Sequence, residues 1–177
     1  MKSKIEVELR AKITPNIIKK IKSELLKESK EHDSYFRHKA DVEKTWIARI
    51  RIKNNKYLLT YKSNKQFGEG AWDEVNIPIT KEIATQLRDF FTSNEHDLEV
   101  EIKKYRQSFN IDGMEINVDN IGKLGTYIEA EILTDSDHIE EAKAKIRLLF
   151  KNLGISDKNI TNKGYVGLMR GKNGITS

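Results

Sequence analysis

Ile5-Glu6-Val7-Glu8-Leu9-Arg10-Ala11-Lys12-Ile13 alternates apolar and charged residues without a break. Side chains alternate across a β-strand, so Ile5, Val7, Leu9, Ala11 and Ile13 share one face and Glu6, Glu8, Arg10 and Lys12 the other. The same scheme recurs outward along the chain. Trp46, Ala48, Ile50 and Ile52 oppose Arg49 and Arg51; Ile116 and Val118 oppose Glu115, Asn117 and Asp119; Ile128, Ala130 and Ile132 oppose Glu129 and Glu131. Lys62 closes a further strand, Glu74 sits on the next, and Lys104 and Arg106 share a face of another.

The period-two segments lie near 4–13, 45–53, 56–62, 71–79, 97–108, 110–120 and 125–133. Asn54-Asn55 and the stretch Asn110 to Gly113 mark hairpin turns, and Gly68-Glu69-Gly70 a looser connection. Three helices interrupt them. Thr14 as N-cap and Pro15 at the first position open one that the spacing of Ile17, Ile18, Ile21, Leu25 and Leu26 carries to about residue 30. A second runs from Thr80 through Phe91, and a third from Asp137 to Leu153, stopped by Gly154. Many strands in hairpin order with few helices predict an α+β fold built on an antiparallel sheet large enough to close. One domain over 1–170 is expected, with a frayed tail from Gly171 to Ser177.

The 177 residues are 37% hydrophobic and 33% charged, and no apolar run spans a bilayer. A charged, alternating start lacks the apolar core of a signal peptide, and a cytosolic protein is expected. The absence of cysteine excludes disulfides and thiolate zinc sites. His32, His38, His96 and His138 show no ligand spacing, so a bound metal would be a hard cation held by carboxylates. The net charge of +5 does not by itself name nucleic acid as a partner. Lys19, Lys20, Lys22, Lys27 and Lys30 fall on the first predicted helix as a solvated face.

An ordinary sheet with one wet face would carry a mixture of Ser, Thr, Gln and charges. Here the charges cluster by sign along strands. Packed onto one concave surface, like charges repel and desolvate badly unless something is bound between them. A polyanion plus a divalent cation neutralises both sets: carboxylates hold Mg²⁺ or Mn²⁺ while Arg and Lys grip phosphate oxygens.

These residues resemble the signature of the CYTH, or triphosphate tunnel, family. Glu6-Val7-Glu8-Leu9-Arg10 looks like its N-terminal E-x-E-x-K strand, with Arg in place of Lys and Lys12 on the same face. Asp33-Ser34-Tyr35-Phe36 resembles the D-x-Y-F/Y element, Arg49-Ile50-Arg51 the paired arginines, and Leu58 to Lys62 the strand ending in lysine. Lys104-Tyr105-Arg106, then Asp119 with Leu124-Gly125-Thr126-Tyr127-Ile128-Glu129-Ala130-Glu131, and Lys163-Gly164-Tyr165 complete the match in order. The resemblance implies an eight-stranded tunnel with helices outside. It implies Glu6, Glu8, Asp119, Glu129 and Glu131 as ligands of Mg²⁺ or Mn²⁺, and Arg10, Lys12, Arg49, Arg51, Lys62, Lys104 and Arg106 as phosphate contacts. Tyr35 and Lys62 match a catalytic pair of thiamine triphosphatases in that family.

The implied activity is hydrolysis of a triphosphate, whether inorganic, thiamine or nucleoside, with class IV adenylyl cyclase as the alternative. A non-catalytic phosphate- or RNA-binding module has little use for five carboxylates on one face. The expected partner is therefore a small triphosphate, without membrane or nucleic acid, and a homodimer is left open. Glu115 reads equally as a ligand or a solvated edge carboxylate, and Tyr35 equally as a catalytic or a packed aromatic. Trp46 and Trp72 read as core or barrel-wall residues.

Overall fold

The computed structural model describes residues 5–41, 43–67, 70–94 and 96–172. Its elements are β1 (Ile5–Lys12), α1 (Pro15–Ile18), β2 (Lys27–His38), β3 (Trp46–Lys53), β4 (Lys56–Ser63), β5 (Ala71–Ile79), α2 (Lys81–Ser93), β6 (His96–Ile111), β7 (Met114–Ile121), β8 (Gly125–Thr134), α3 (Ile139–Asn152), β9 (Ile160–Thr161) and α4 (Tyr165–Lys172). Each strand is antiparallel to its neighbours in the order β5-β4-β3-β2-β6-β7-β8-β1, and β1 pairs β5 through Ile5, Glu6 and Val7. The eight strands therefore close into a barrel. The two-residue β9 takes the rest of that edge of β1, at Arg10 and Ala11. Gly70 lets two partners share one edge: its carbonyl accepts from the Glu8 N–H at 3.0 Å, and its φ of +82° and a 3.2 Å approach to Asn162 leave no room for a Cβ.

The alternation read from the sequence explains both surfaces of the barrel. Outside, Ile5, Val7, Leu9, Ile128 and Ala130 pack with Ala142, Ile146 and Phe150 of α3, and Phe36, Ala48, Ile50 and Leu59 pack with Ala84 and Phe91 of α2. Thr80 caps α2 by accepting from the Ile83 N–H, and Gly154, at φ +83°, ends α3. At one end of the barrel, Tyr165 and Val166 of α4 pack on inward-facing Tyr35, Ile47, Ile102 and Tyr127. Among the described residues no helix is long and apolar enough to cross a membrane.

The predicted helix over 14–30 is corrected. Only Pro15–Ile18 is helical, and Lys27 already belongs to β2. Ile17, Ile18 and Ile21 pack against the core beneath α3, but Leu25 and Leu26 are exposed, so the second half of the helical pattern has nothing to bury against. The chain there is drawn beside β6, where Leu26 N–H donates to the Ser108 carbonyl at 2.9 Å. Lys27 and Lys30 consequently lie on a strand, and Lys20 donates to the Leu153 carbonyl at the end of α3. Of the Gly68–Gly70 connection only Gly70 is among the described residues. Gly171 and Lys172 end α4, and 173–177 of the predicted tail lie outside the described residues.

Candidate active site

Every barrel strand sends at least one polar side chain into a central cavity of about 150 Å³. Glu6, Glu8 and Arg10 come from β1, Arg49 and Arg51 from β3, Lys62 from β4, Glu74 from β5, Lys104 and Arg106 from β6, and Glu129 and Glu131 from β8; Tyr35 of β2 and Glu115 of β7 complete the strand contributions. The cavity opens into a vestibule of about 630 Å³, sharing Glu8, Arg10, Tyr35, Arg49, Lys62 and Tyr165 with it.

Most of these cations are already committed. Arg51 grips Asp33 with a two-point fork, 2.7 Å from Nε and 2.7 Å from Nη2, and its Nη1 lies 3.3 Å from Glu31. Burial alone would raise the Asp33 carboxyl, but Arg51 holds it down at about 2. Glu31, also fully buried, takes Lys53 at 2.7 Å and Lys104 at 3.4 Å. On the next strands Arg106 forks onto Asp119 at 2.7 and 2.6 Å, and Asp119 also accepts from Lys104 at 3.3 Å and from the Tyr165 hydroxyl at 2.8 Å. Burial, then Arg106, pushes the Lys104 ammonium below its ordinary range despite Asp119.

Arg10 and Arg49 are different. Arg10 spends one nitrogen, Nη2, on Glu8 at 2.7 Å and Glu129 at 2.5 Å, and its face lies 4.8 Å from the centre of the Tyr165 ring. Its Nε and Nη1 are buried without a hydrogen-bond partner, as is Nε of Arg49, whose Nη2 donates to Thr60 at 3.0 Å. Facing them, Glu8, Glu129 and Glu131 bring one carboxylate oxygen each within 4.8 Å of one another. Burial and the neighbouring Glu129 push the Glu131 carboxyl well above the usual range, whereas Arg10 and Arg106, acting against burial, hold Glu129 well below it. Three converging oxygens fit a hard divalent cation. Lys62 is clamped between Glu6 at 2.6 Å and Glu74 at 2.5 Å; burial alone would depress its ammonium, but Glu8, Glu6 and Glu74 hold it above its ordinary range.

The description of the CYTH domain matches residues 4–165. This chain belongs to the CYTH family. It is 26% identical over 172 residues to a protein of Methanocaldococcus jannaschii named "Putative adenylate cyclase", covering 93% of this chain and 98% of that one. The solved structure of a Pyrococcus horikoshii protein superposes with a TM-score of 0.84 at 26% identity, over 94% of this chain and 99% of the other. A Hippeastrum protein, described as an adenylyl cyclase homologue with a dominant triphosphatase activity, shares the fold at 19% identity, a TM-score of 0.64 and coverage of 98% and 97%.

Within this CYTH barrel, Glu6, Glu8, Arg10, Arg49, Arg51, Lys62, Lys104, Arg106, Glu129, Glu131 and Tyr35 all line the cavity. Two residues expected at the site stand elsewhere. Lys12 is at the exposed end of β1, against the turn at Gly125, and Asp119 lies behind the lining with its carboxylate engaged by Arg106, Lys104 and Tyr165. Glu115 is exposed at the rim, bonded by Asn117 at 3.3 Å. Trp46 lies in an outer aromatic group with His38 and Tyr61, while Trp72 lines the vestibule. Glu31, Lys53 and Tyr165 are the participants that sequence reasoning missed. The alternation Ser29, Glu31, Asp33, Tyr35 is the signal for Glu31, which lies just past the helix predicted to about residue 30, in a stretch assigned to no strand.

Proposed function

We propose that the chain is a metal-dependent hydrolase of triphosphates, with 1–170 acting as one catalytic domain in the cytosol. The observation that carries this is the pairing of opposites across one cavity: buried arginines with unused N–H groups, Arg10 and Arg49, opposite the converging carboxylates of Glu8, Glu129 and Glu131. A cation alone would satisfy the carboxylates and an anion alone the arginines. A metal-bound triphosphate satisfies both.

Glu8, Glu129 and Glu131 would hold Mg²⁺ or Mn²⁺, which when bound neutralises phosphate oxygens and polarises the phosphorus they surround. Arg10 and Arg49 offer their free donors to phosphate oxygens, where charge-assisted contacts are strongest. Lys62, kept protonated by Glu6 and Glu74, adds a fixed positive charge and does not act as a base. Burial keeps the Tyr35 phenol protonated as well, and its hydroxyl donates to Asp33 at 3.3 Å beside Arg49. Catalysis on this reading is charge neutralisation and in-line positioning of water, which suffices for phosphoryl transfer because its transition state asks little covalent help from the protein.

Adenylyl cyclase activity is the second reading, favoured by the name of the Methanocaldococcus jannaschii relative. The deciding experiment incubates the purified protein with ATP, thiamine triphosphate and inorganic triphosphate, each with Mg²⁺ or Mn²⁺, and identifies products. Orthophosphate release supports hydrolysis, cyclic AMP with pyrophosphate supports cyclisation, and no product from any of them rejects both.

A further inference from the structure

The vestibule outside the tunnel presents donors in excess of acceptors. Lys44 and Lys163 both line it, and neither forms an ion pair among the described residues. Trp72 also lines it, half-buried on β5, and its indole N–H is buried without an acceptor. Arg10 and Arg49, each with at least one buried N–H that lacks an acceptor, line both cavities. The remaining cations are neutralised: Arg37 by Asp41 at 2.7 Å and by Glu99 at 3.2 Å, and Arg170 by the same Glu99. Among the described residues the one carboxylate in the lining, Glu8, belongs to the inward cluster and is bonded to Arg10.

We propose that the vestibule is an anion subsite, so that the part of the substrate outside the triphosphate is itself negatively charged, as in a linear phosphate chain longer than three units. This rests on the triphosphate reading and specifies its substrate class. Buried donors without acceptors are rare in folded proteins and call for a partner. A phosphate chain supplies acceptors at every unit, and its charge is complementary to Lys44 and Lys163. The thiazolium of thiamine triphosphate brings a positive charge to the same space, where the described lining offers it no free carboxylate. Electrostatic mismatch of this kind discriminates between ligands that share a common anchor.

The test compares kcat/KM for linear polyphosphate, tripolyphosphate, ATP and thiamine triphosphate on the full chain with Mg²⁺ or Mn²⁺. Polyphosphate should exceed thiamine triphosphate by at least about tenfold. The double charge reversal Lys44→Glu with Lys163→Glu, checked for its melting temperature, should lower that ratio by roughly fivefold or more. Trp72→Phe, which keeps the ring and removes only the N–H, should lower it about two- to threefold, and it stands in if the double variant fails to fold. Equal efficiency for thiamine triphosphate and polyphosphate, or a ratio unmoved by the variants, overturns the anion subsite while leaving triphosphate hydrolysis intact. No binding or turnover of any of these compounds, tripolyphosphate included, overturns the hydrolase reading and the subsite with it.

Discussion

Arg51 and Arg10 both point into the same barrel, yet they are not equivalent. Arg51 has its guanidinium on carboxylates from three nitrogens, to Asp33 and Glu31, and Arg106 repeats the pattern with Asp119. Arg10 and Arg49 keep buried N–H groups unused. One region is a finished ion-pair lattice that shapes the tunnel; the other is an unfinished one that a ligand would complete. A count of charges on a concave face thus overstates the number available to a substrate. The hydrogen-bond inventory separates the two populations.

The largest effect expected from this division is at the carboxylate cluster. Glu131→Gln replaces one of three converging carboxylates by a neutral amide and removes the repulsion from Glu129, so turnover should fall by roughly two orders of magnitude or more while thermal stability without metal holds or rises. Turnover that persists in excess EDTA would contradict the metal assignment.

The arginines provide a double dissociation. Arg49→Ala or Arg10→Ala should reduce kcat/KM by roughly two orders of magnitude, about 3 kcal/mol; the melting temperature should change little in Arg49→Ala and fall in Arg10→Ala, which leaves Glu8 and Glu129 without this partner. Arg51→Ala strands the buried Asp33 carboxylate and should cost roughly 3–5 kcal/mol of folding stability. Denaturant unfolding beside initial rates would show the split. Equal stability losses for Arg49→Ala and Arg51→Ala would contradict the division into free and committed arginines. Removing exposed Lys19 and Lys22 lowers the net charge as much and should change little beyond salt dependence.

Tyr165 joins the two regions. Its ring lies 4.8 Å from the Arg10 guanidinium and 5.3 Å from the Lys104 ammonium, and its hydroxyl holds Asp119. As a positioning residue, it should show a rise in KM of about tenfold on Tyr165→Leu, with Tyr165→Phe recovering most of the loss because the ring is kept. Failure of Phe to rescue would move the role from the ring to the hydroxyl.

The smallest expected effect is on pH dependence. The Asp33 carboxyl titrates at about 2 in the folded chain against an ordinary 3.8. A depressed carboxyl stabilises above its unfolded value and loses that contribution as pH falls toward the folded one, so on the order of 2 kcal/mol should disappear between about pH 4 and pH 2. Asp33→Asn should lack that step in a stability–pH curve.

The strands with one apolar face were legible because period two has a single cause. Val7, Ile50, Ile128 and Ala130 must go outward to the helices, which forces Glu8, Arg49, Arg51, Glu129 and Glu131 inward. β2 was not legible over Lys27 to Asp33, where both faces are polar and no apolar alternation marks the strand. Its pairing with β3 and β6 supplies Glu31 and Asp33, the carboxylates that neutralise Arg51, Lys53 and Lys104; with its start read as the end of a helix and the rest assigned to no strand, which cations are spent stayed hidden. Lys12 shows the limit of face parity. It shares a face with Glu8, but the strand carries it beyond the tunnel.

The most direct test of the central claim is calorimetric titration of tripolyphosphate, with Ca²⁺ supporting binding, into the wild-type chain, Arg10→Ala and Arg51→Ala, the last assayed well below its melting temperature. The account predicts tight binding to wild type, loss of roughly tenfold or more in Arg10→Ala, and a smaller loss in folded Arg51→Ala. Affinity equal in wild type and Arg10→Ala would place the phosphates outside the arginine and carboxylate cluster and contradict it.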